Sequence, residues 1–173
     1  MRKSLTAPVL NFLASATLLL LLTPALRAQA PQPLPTAPTA FDTLANTALE
    51  TMRHRADELH INGVALVAYA QGDTVQSWTS KMLVVGHMTT PVSPTDKGSN
   101  LLGVAYTKAA EMADTLKDSG SKVRPPMTGE YGYQGGLLAR TTHGYIIVAF
   151  SGGKSEDDLQ VSHAGLDILK PAL

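Results

Sequence analysis

Apolar residues recur at intervals of three and four from Phe41 to His60, at Leu44, Ala45, Ala48, Leu49, Met52, Ala56 and Leu59. That period predicts an amphipathic helix, with Asp42 or Thr43 as its cap and Asn62-Gly63 as its stop. The pattern then changes. Val64 to Ala70 is a short unbroken apolar run and reads as a buried strand. Gln71-Gly72-Asp73-Thr74 turns the chain, and Val75–Thr79 and Met82–Met88 supply two further strand-like stretches. Pro91, Pro94, Gly98 and Ser99 mark 89–100 as a loop. A second helix is predicted from Leu101 to Leu116, through Leu102, Ala105, Ala109, Met112 and Ala113, with Asn100 as its cap and Ser119-Gly120 as its end. The stretch 119–136 is irregular and carries Pro125, Pro126 and several glycines. Loops of that length usually form functional lids or lack order. Leu137–Arg140 and Tyr145–Phe150 predict a hairpin around Thr141-Thr142-His143-Gly144. After Ser151-Gly152-Gly153, Ser155 opens a third helix, with Asp158 three residues on as a capping-box partner and Pro171 as the stop.

The predicted order is helix, about three strands, helix, two strands, helix. Strands joined by short turns pair antiparallel. The simplest layer solution is an α+β fold, one five-stranded antiparallel sheet with helices packed over it.

The first thirty residues read as an address. Arg2 and Lys3 precede an apolar stretch densest from Ala16 to Leu22, and Ala28-Gln29-Ala30 offers the small-x-small cleavage pattern of a signal peptide. The apolar run is shorter than the ~20 residues a spanning helix needs, and Pro24 interrupts it, so no stable membrane insertion is expected after cleavage. Residues 31–40, with Pro31, Pro33, Pro35 and Pro38, read as an extended spacer, leaving 41–173 as the folded domain. The chain of 173 residues is 44% hydrophobic, as a globular protein is. Beyond residue 30 it holds 11 basic and 14 acidic residues, a net charge of −3 that argues against a general nucleic-acid binder. Its lack of cysteine excludes disulfides, thiolate zinc sites, iron–sulfur clusters and a cysteine nucleophile. Export without disulfides suits a bacterial periplasm or exterior.

The C-terminal stretch carries a resemblance. Gly135-Gly136-Leu137-Leu138, His143-Gly144-Tyr145-Ile146-Ile147, Ser151-Gly152-Gly153, Glu156-Asp157-Asp158 and His163-Ala164-Gly165-Leu166 together resemble the GlcG/HbpS family. Ala105-Tyr106-Thr107-Lys108-Ala109 is similar to that family's A-x-x-K-A helix. The likeness spans roughly residues 41–170. It implies a profilin-like fold and an exported, often homo-oligomeric protein that binds haem or degrades it; other relatives accompany glycolate or propanediol metabolism. The family's R-M-D-G-A loop is replaced here by Lys81-Met82-Leu83-Val84-Val85-Gly86-His87.

An implied haem needs an axial imidazole, thioether or phenolate. His87, closing an apolar strand beside Gly86 and Met88, is the first choice as haem or metal ligand. His54 and His60 read as a solvated helix face, His143 as a hairpin turn, and His163 as half-buried near an apolar stripe. No pair of histidines has clamp spacing and no H-E-x-x-H occurs, so a zinc hydrolase is a poor reading. Ser151-Gly152-Gly153 before a helix can offer backbone N–H groups to a propionate or small hydroxy acid, aided by Lys108 or Lys154, unless Glu156, Asp157 and Asp158 already occupy them. Tyr131 and Tyr133 can cover a flat ligand or serve an oligomer contact, and Trp78 reads as a core strand residue. Ser151 lacks the G-x-S-x-G elbow of a serine hydrolase. The expected activity is small-ligand binding without turnover, haem or a related tetrapyrrole favoured. An enzyme on the same scaffold, degrading haem oxidatively or acting on a small hydroxy acid, is the alternative.

Overall fold

The computed structural model describes residues 38–173, with side chains from Phe41 onward; the expected signal peptide and most of the expected spacer lie outside the described residues. Three helices and four strands follow in the order α1 (Pro38–Glu58), β1 (Gly63–Gln71), β2 (Thr79–Val85), α2 (Leu101–Thr115), β3 (Gly136–Arg140), β4 (Gly144–Ser151) and α3 (Ser155–Leu169). The strands form one antiparallel sheet in the order β2-β1-β4-β3. The fold is therefore α+β, with β1 and β4 at the centre.

Both faces of that central pair are covered, which explains their unbroken apolar sequences. Ala65 and Val67 of β1 and Ile146, Val148 and Phe150 of β4 face one way, into a core closed by α1 and α3. Val64, Leu66 and Ala68, with Ile147 and Ala149, face the other way, toward Leu101, Ala105, Ala109 and Met112 of α2. The period-two alternation thus feeds two separate cores from one run of residues. Gly165 lets α3 approach: a Cβ there would lie 2.6 Å from Met52 Sδ of α1 and 3.2 Å from Val148 Cγ1 of β4.

The helix ends follow local chemistry. α1 closes in a Schellman motif, with His60 left-handed at φ 56° and the Ile61 N–H donating to Ala56 O at 3.0 Å. Asn100 Oδ1 accepts from the Gly103 N–H at 3.1 Å and caps α2 as expected. The capping box on α3 does not form. Lys154 is the N-cap and no side chain caps that helix, because the Asp158 carboxylate is turned to other partners described below.

The expected five-stranded sheet is corrected to four. Val75–Thr79 and Met82–Met88 were predicted as two strands, but β2 runs without a break from Thr79 to Val85, paired to β1 from Tyr69↔Thr79 to Gly63↔Val85. Ser80 and Lys81 pair with Ala68 and Val67, so the ladder carries through them, and residues 72–78, with Gly72 and Asp73 at their start, become the hairpin connection. Trp78 therefore lies outside any strand and is half-buried against the α2 core rather than within it.

Candidate functional site

Where β4 ends, α3 begins and the loops before α2 and β3 arrive, the fold leaves a cleft of about 220 Å³. Thr90 and Ser99 reach it from the loop before α2, Leu101, Val104 and Lys108 from α2, Tyr133 and Gln134 from the strap 117–135, and Ser151, Gly152, Gly153, Ser155 and Asp158 from the β4–α3 junction. Leu101, Val104 and Lys108 are spaced by three and four, which puts them on one face of the helix.

Its floor is an ion pair. Lys108 and Asp158 are each 3% exposed. Lys108 Nζ donates to Asp158 Oδ2 at 2.7 Å and to the Phe150 carbonyl at 2.7 Å, joining α2, β4 and α3 across the end of the sheet. Asp158 Oδ1 accepts from the Gly153 N–H at 2.8 Å, and the Gly152 N–H adds to its hold. Burial pushes the Lys108 ammonium below its ordinary pKa, against the attraction of Asp158. Burial likewise pushes the Asp158 carboxyl up, against Lys108 and the two glycine amides. Both shifts favour the neutral forms, the signature of groups held out of water with only each other as counter-charge.

Gly135 makes this approach possible. Its φ of +119° lies where side chains rarely go, and a Cβ there would stand 2.5 Å from Lys108 Nζ and 2.7 Å from Asp158 Cβ. Its carbonyl accepts from the Phe150 N–H at 3.0 Å and from Ser162 Oγ at 2.7 Å, fixing the strap's end against β4 and α3.

The strap itself is tied in place. The Gly120 N–H donates to Glu111 at 3.0 Å and the Gly136 N–H to Ser119 Oγ at 2.8 Å. Arg124 binds Glu130 and Asp114, each at 2.7 Å. Hydrogen bonds from Arg124 and from the Met127 N–H hold the Glu130 carboxyl far below the usual range, at about 2. The long loop expected as a lid or as disorder is thus an anchored segment. Tyr131 and Tyr133 stack on one another, 5.3 Å apart at 15°, and both are about half exposed.

Of the residues singled out from sequence, Lys108, Tyr133, Ser151, Gly152 and Gly153 come together in this cleft. Tyr131 does not line it, but stacks on Tyr133. His87 is exposed just past β2 and lies outside the cleft lining. The tandem-glycine amides, expected as donors to an outside anion, face inward to Asp158. Among the acids that can occupy them, Asp158 is the one that does. His54, His60 and His143 are exposed as expected; His163, expected half-buried, is exposed too. Among the described residues no group of three His, Asp or Glu side chains is placed to hold a metal ion, and no helix is long and apolar enough to cross a membrane.

Thr90, Ser99, Gln134 and Ser155 were not anticipated in the lining, because polar residues in loops and at a helix start carry no periodic signal. Asp158 was read as a cap, and its register could have shown more. It shares a helix face with Val161, Ser162, Gly165 and Leu169, all buried, just as Lys108 shares one with Leu101, Val104 and Met112.

No family model matches the chain, and no curated protein matches its sequence. Among solved structures, one described as the crystal structure of Ybr137w protein is similar at a TM-score of 0.42 and 16% identity, over 77% of this chain and 79% of that one. A likeness at that level carries no functional argument.

Proposed function

We propose that the exported domain is a non-catalytic binding module on a profilin-like scaffold, and that its ligand is a small oxygen-rich molecule of the hydroxy- or oxo-acid class. The observation that carries this reading is the cleft over the Lys108–Asp158 pair. A buried ion pair contributes little net stability compared with apolar packing, so its place at the base of an open, hydroxyl-lined cleft points to binding. The lining mixes a few apolar contacts, Leu101 and Val104, with the hydroxyls of Thr90, Ser99, Tyr133 and Ser155 and the Gln134 amide. At about 220 Å³ the cleft is smaller than the roughly 300–1,000 Å³ that encloses a drug-sized ligand, and it suits a molecule of a few carbon atoms.

A tetrapyrrole rests on the family resemblance alone. The lining offers one phenol, Tyr133, and no imidazole or thioether as an axial donor, and the cleft's size is a poor match for a macrocycle. Calorimetric titration of the purified protein with glycolate, lactate, glyoxylate and hemin tests the choice. Saturable one-to-one binding of a small acid, weakened in Ser155→Ala and unchanged in His87→Ala, supports the reading. A saturating Soret shift with hemin that is lost in His87→Ala, with no heat from any small acid, overturns it.

A further inference from the structure

We propose that Lys108 is a reversible covalent site, whose amine condenses with the carbonyl carbon of a small 2-oxo acid or aldehyde held in the cleft. This rests on the small-ligand reading above and names the ligand's reactive group.

Lysine is almost never fully buried unless paired, and here the amine is 3% exposed at the base of a cleft. A buried amine attacks a carbonyl only if its proton has somewhere to go. Asp158 Oδ2, at 2.7 Å, is that acceptor. The Gly153 N–H holds the other oxygen at 2.8 Å, so the carboxyl stays beside the nitrogen after it takes the proton. Burial drives both groups toward the neutral pair that this transfer creates. Asp158 is the one carboxylate in the lining, while Ser155 and Tyr133 supply donors for a ligand's own carboxylate.

The step balances without a redox partner. The ammonium gives one proton to Asp158, and the neutral nitrogen attacks the carbonyl carbon. A C–N bond forms as the carbonyl π pair moves to oxygen, which takes a second proton from nitrogen. Asp158 then returns its proton to this hydroxyl, which leaves as water while the nitrogen lone pair completes C=N. One ammonium and one carbonyl give one protonated imine and one water. Asp158 is again a carboxylate facing a single positive charge, so the buried pair is preserved. Reversal by water releases the ligand unchanged.

The test is reductive trapping on the intact protein. Glyoxylate or pyruvate is added with cyanoborohydride near neutral pH, where exposed amines are protonated, and the adduct is located by peptide mass mapping. The expected result is one carboxymethyl or carboxyethyl group on Lys108 ahead of Lys97, Lys117, Lys122, Lys154 and Lys170. Excess glycolate, which has no carbonyl, should suppress it. Lys108→Arg keeps the charge and should lose the adduct, whereas Lys97→Arg, at an exposed position outside the cleft lining, should keep it. Adducts scattered over surface lysines but absent from Lys108, with glycolate still bound, overturn the imine and leave the binding reading standing. Absence of glycolate binding overturns the reading and the imine with it.

Discussion

Replacing Asp158 by Asn keeps the side chain's shape and removes its charge. The site needs two acceptors, one for Lys108 Nζ and one for the Gly153 N–H. An amide has one oxygen, so either orientation sets its NH2 against another donor. Lys108, 3% exposed, is left as a buried ammonium with the Phe150 carbonyl alone. Breaking a buried pair in this way costs about 3–5 kcal/mol. With a urea m-value of roughly 2 kcal/mol/M, that lowers the unfolding midpoint by about 2 M. A second readout separates charge burial from lost packing. Without its partner, Lys108 has a folded pKa depressed below its unfolded one, so between those two values the unfolded chain binds more protons and stability rises with pH. Urea unfolding followed by far-UV circular dichroism, repeated from neutral pH upward, should show the variant regaining more stability toward alkaline pH than the parent, whose ammonium still has the Asp158 carboxylate beside it. In Lys108→Met the same Asp158→Asn change should cost less, by about 2 kcal/mol, because no ammonium remains to be stranded. A loss below about 1 kcal/mol at neutral pH, with no alkaline recovery and no coupling in the double variant, refutes the pairing.

Asn100→Ala removes the cap of α2 and should lower stability by about 1 kcal/mol in the same urea assay. Gly135→Ala and Gly129→Ala both put a side chain at positive φ, +119° and +93°, but only the first drives its methyl against the Lys108–Asp158 pair, so it should destabilise far more than the second, whose added Cβ meets nothing within 4 Å. Glu130→Gln leaves Arg124 with Asp114 as its one carboxylate partner and should speed amide hydrogen exchange across 117–135 while leaving β1 and β4 protected. Because the Glu130 pKa is depressed to about 2, its contribution is full above the ordinary carboxylate range and fades as pH falls toward about 2; exchange of the strap in the parent should follow that course.

The helices were legible from their three-and-four spacing, and the central strands from their unbroken apolar runs. Val64–Ala68 and Ile146–Phe150 are apolar at every position, and such runs arise when both faces of a strand are covered. β2 was harder. It is an edge strand with partly exposed residues, and a loop rich in β-formers, Val75 to Trp78, precedes it, so propensity placed a strand where the hairpin connection runs. The site was half legible. Lys108, Tyr133 and the Ser151–Gly153 bend were visible as residue types that chemistry uses. Asp158 was visible only as a helix start, because its pairing with Lys108 joins positions 50 residues apart that meet over the end of the sheet. His87 looked favourable as the histidine at the end of an apolar strand, but β2 ends at Val85 and the chain leaves the core there.

The ligand proposed for the cleft above Lys108 and Asp158 is a small oxygen-rich molecule. Amide chemical-shift mapping of the isotopically labelled protein during a glycolate titration tests this proposal most directly. Saturating shifts confined to Thr90, Ser99 to Val104, Tyr133 to Gly135 and Ser151 to Asp158 are expected. Shifts absent from those residues at saturating glycolate, or gathered instead around His87, would contradict the proposal.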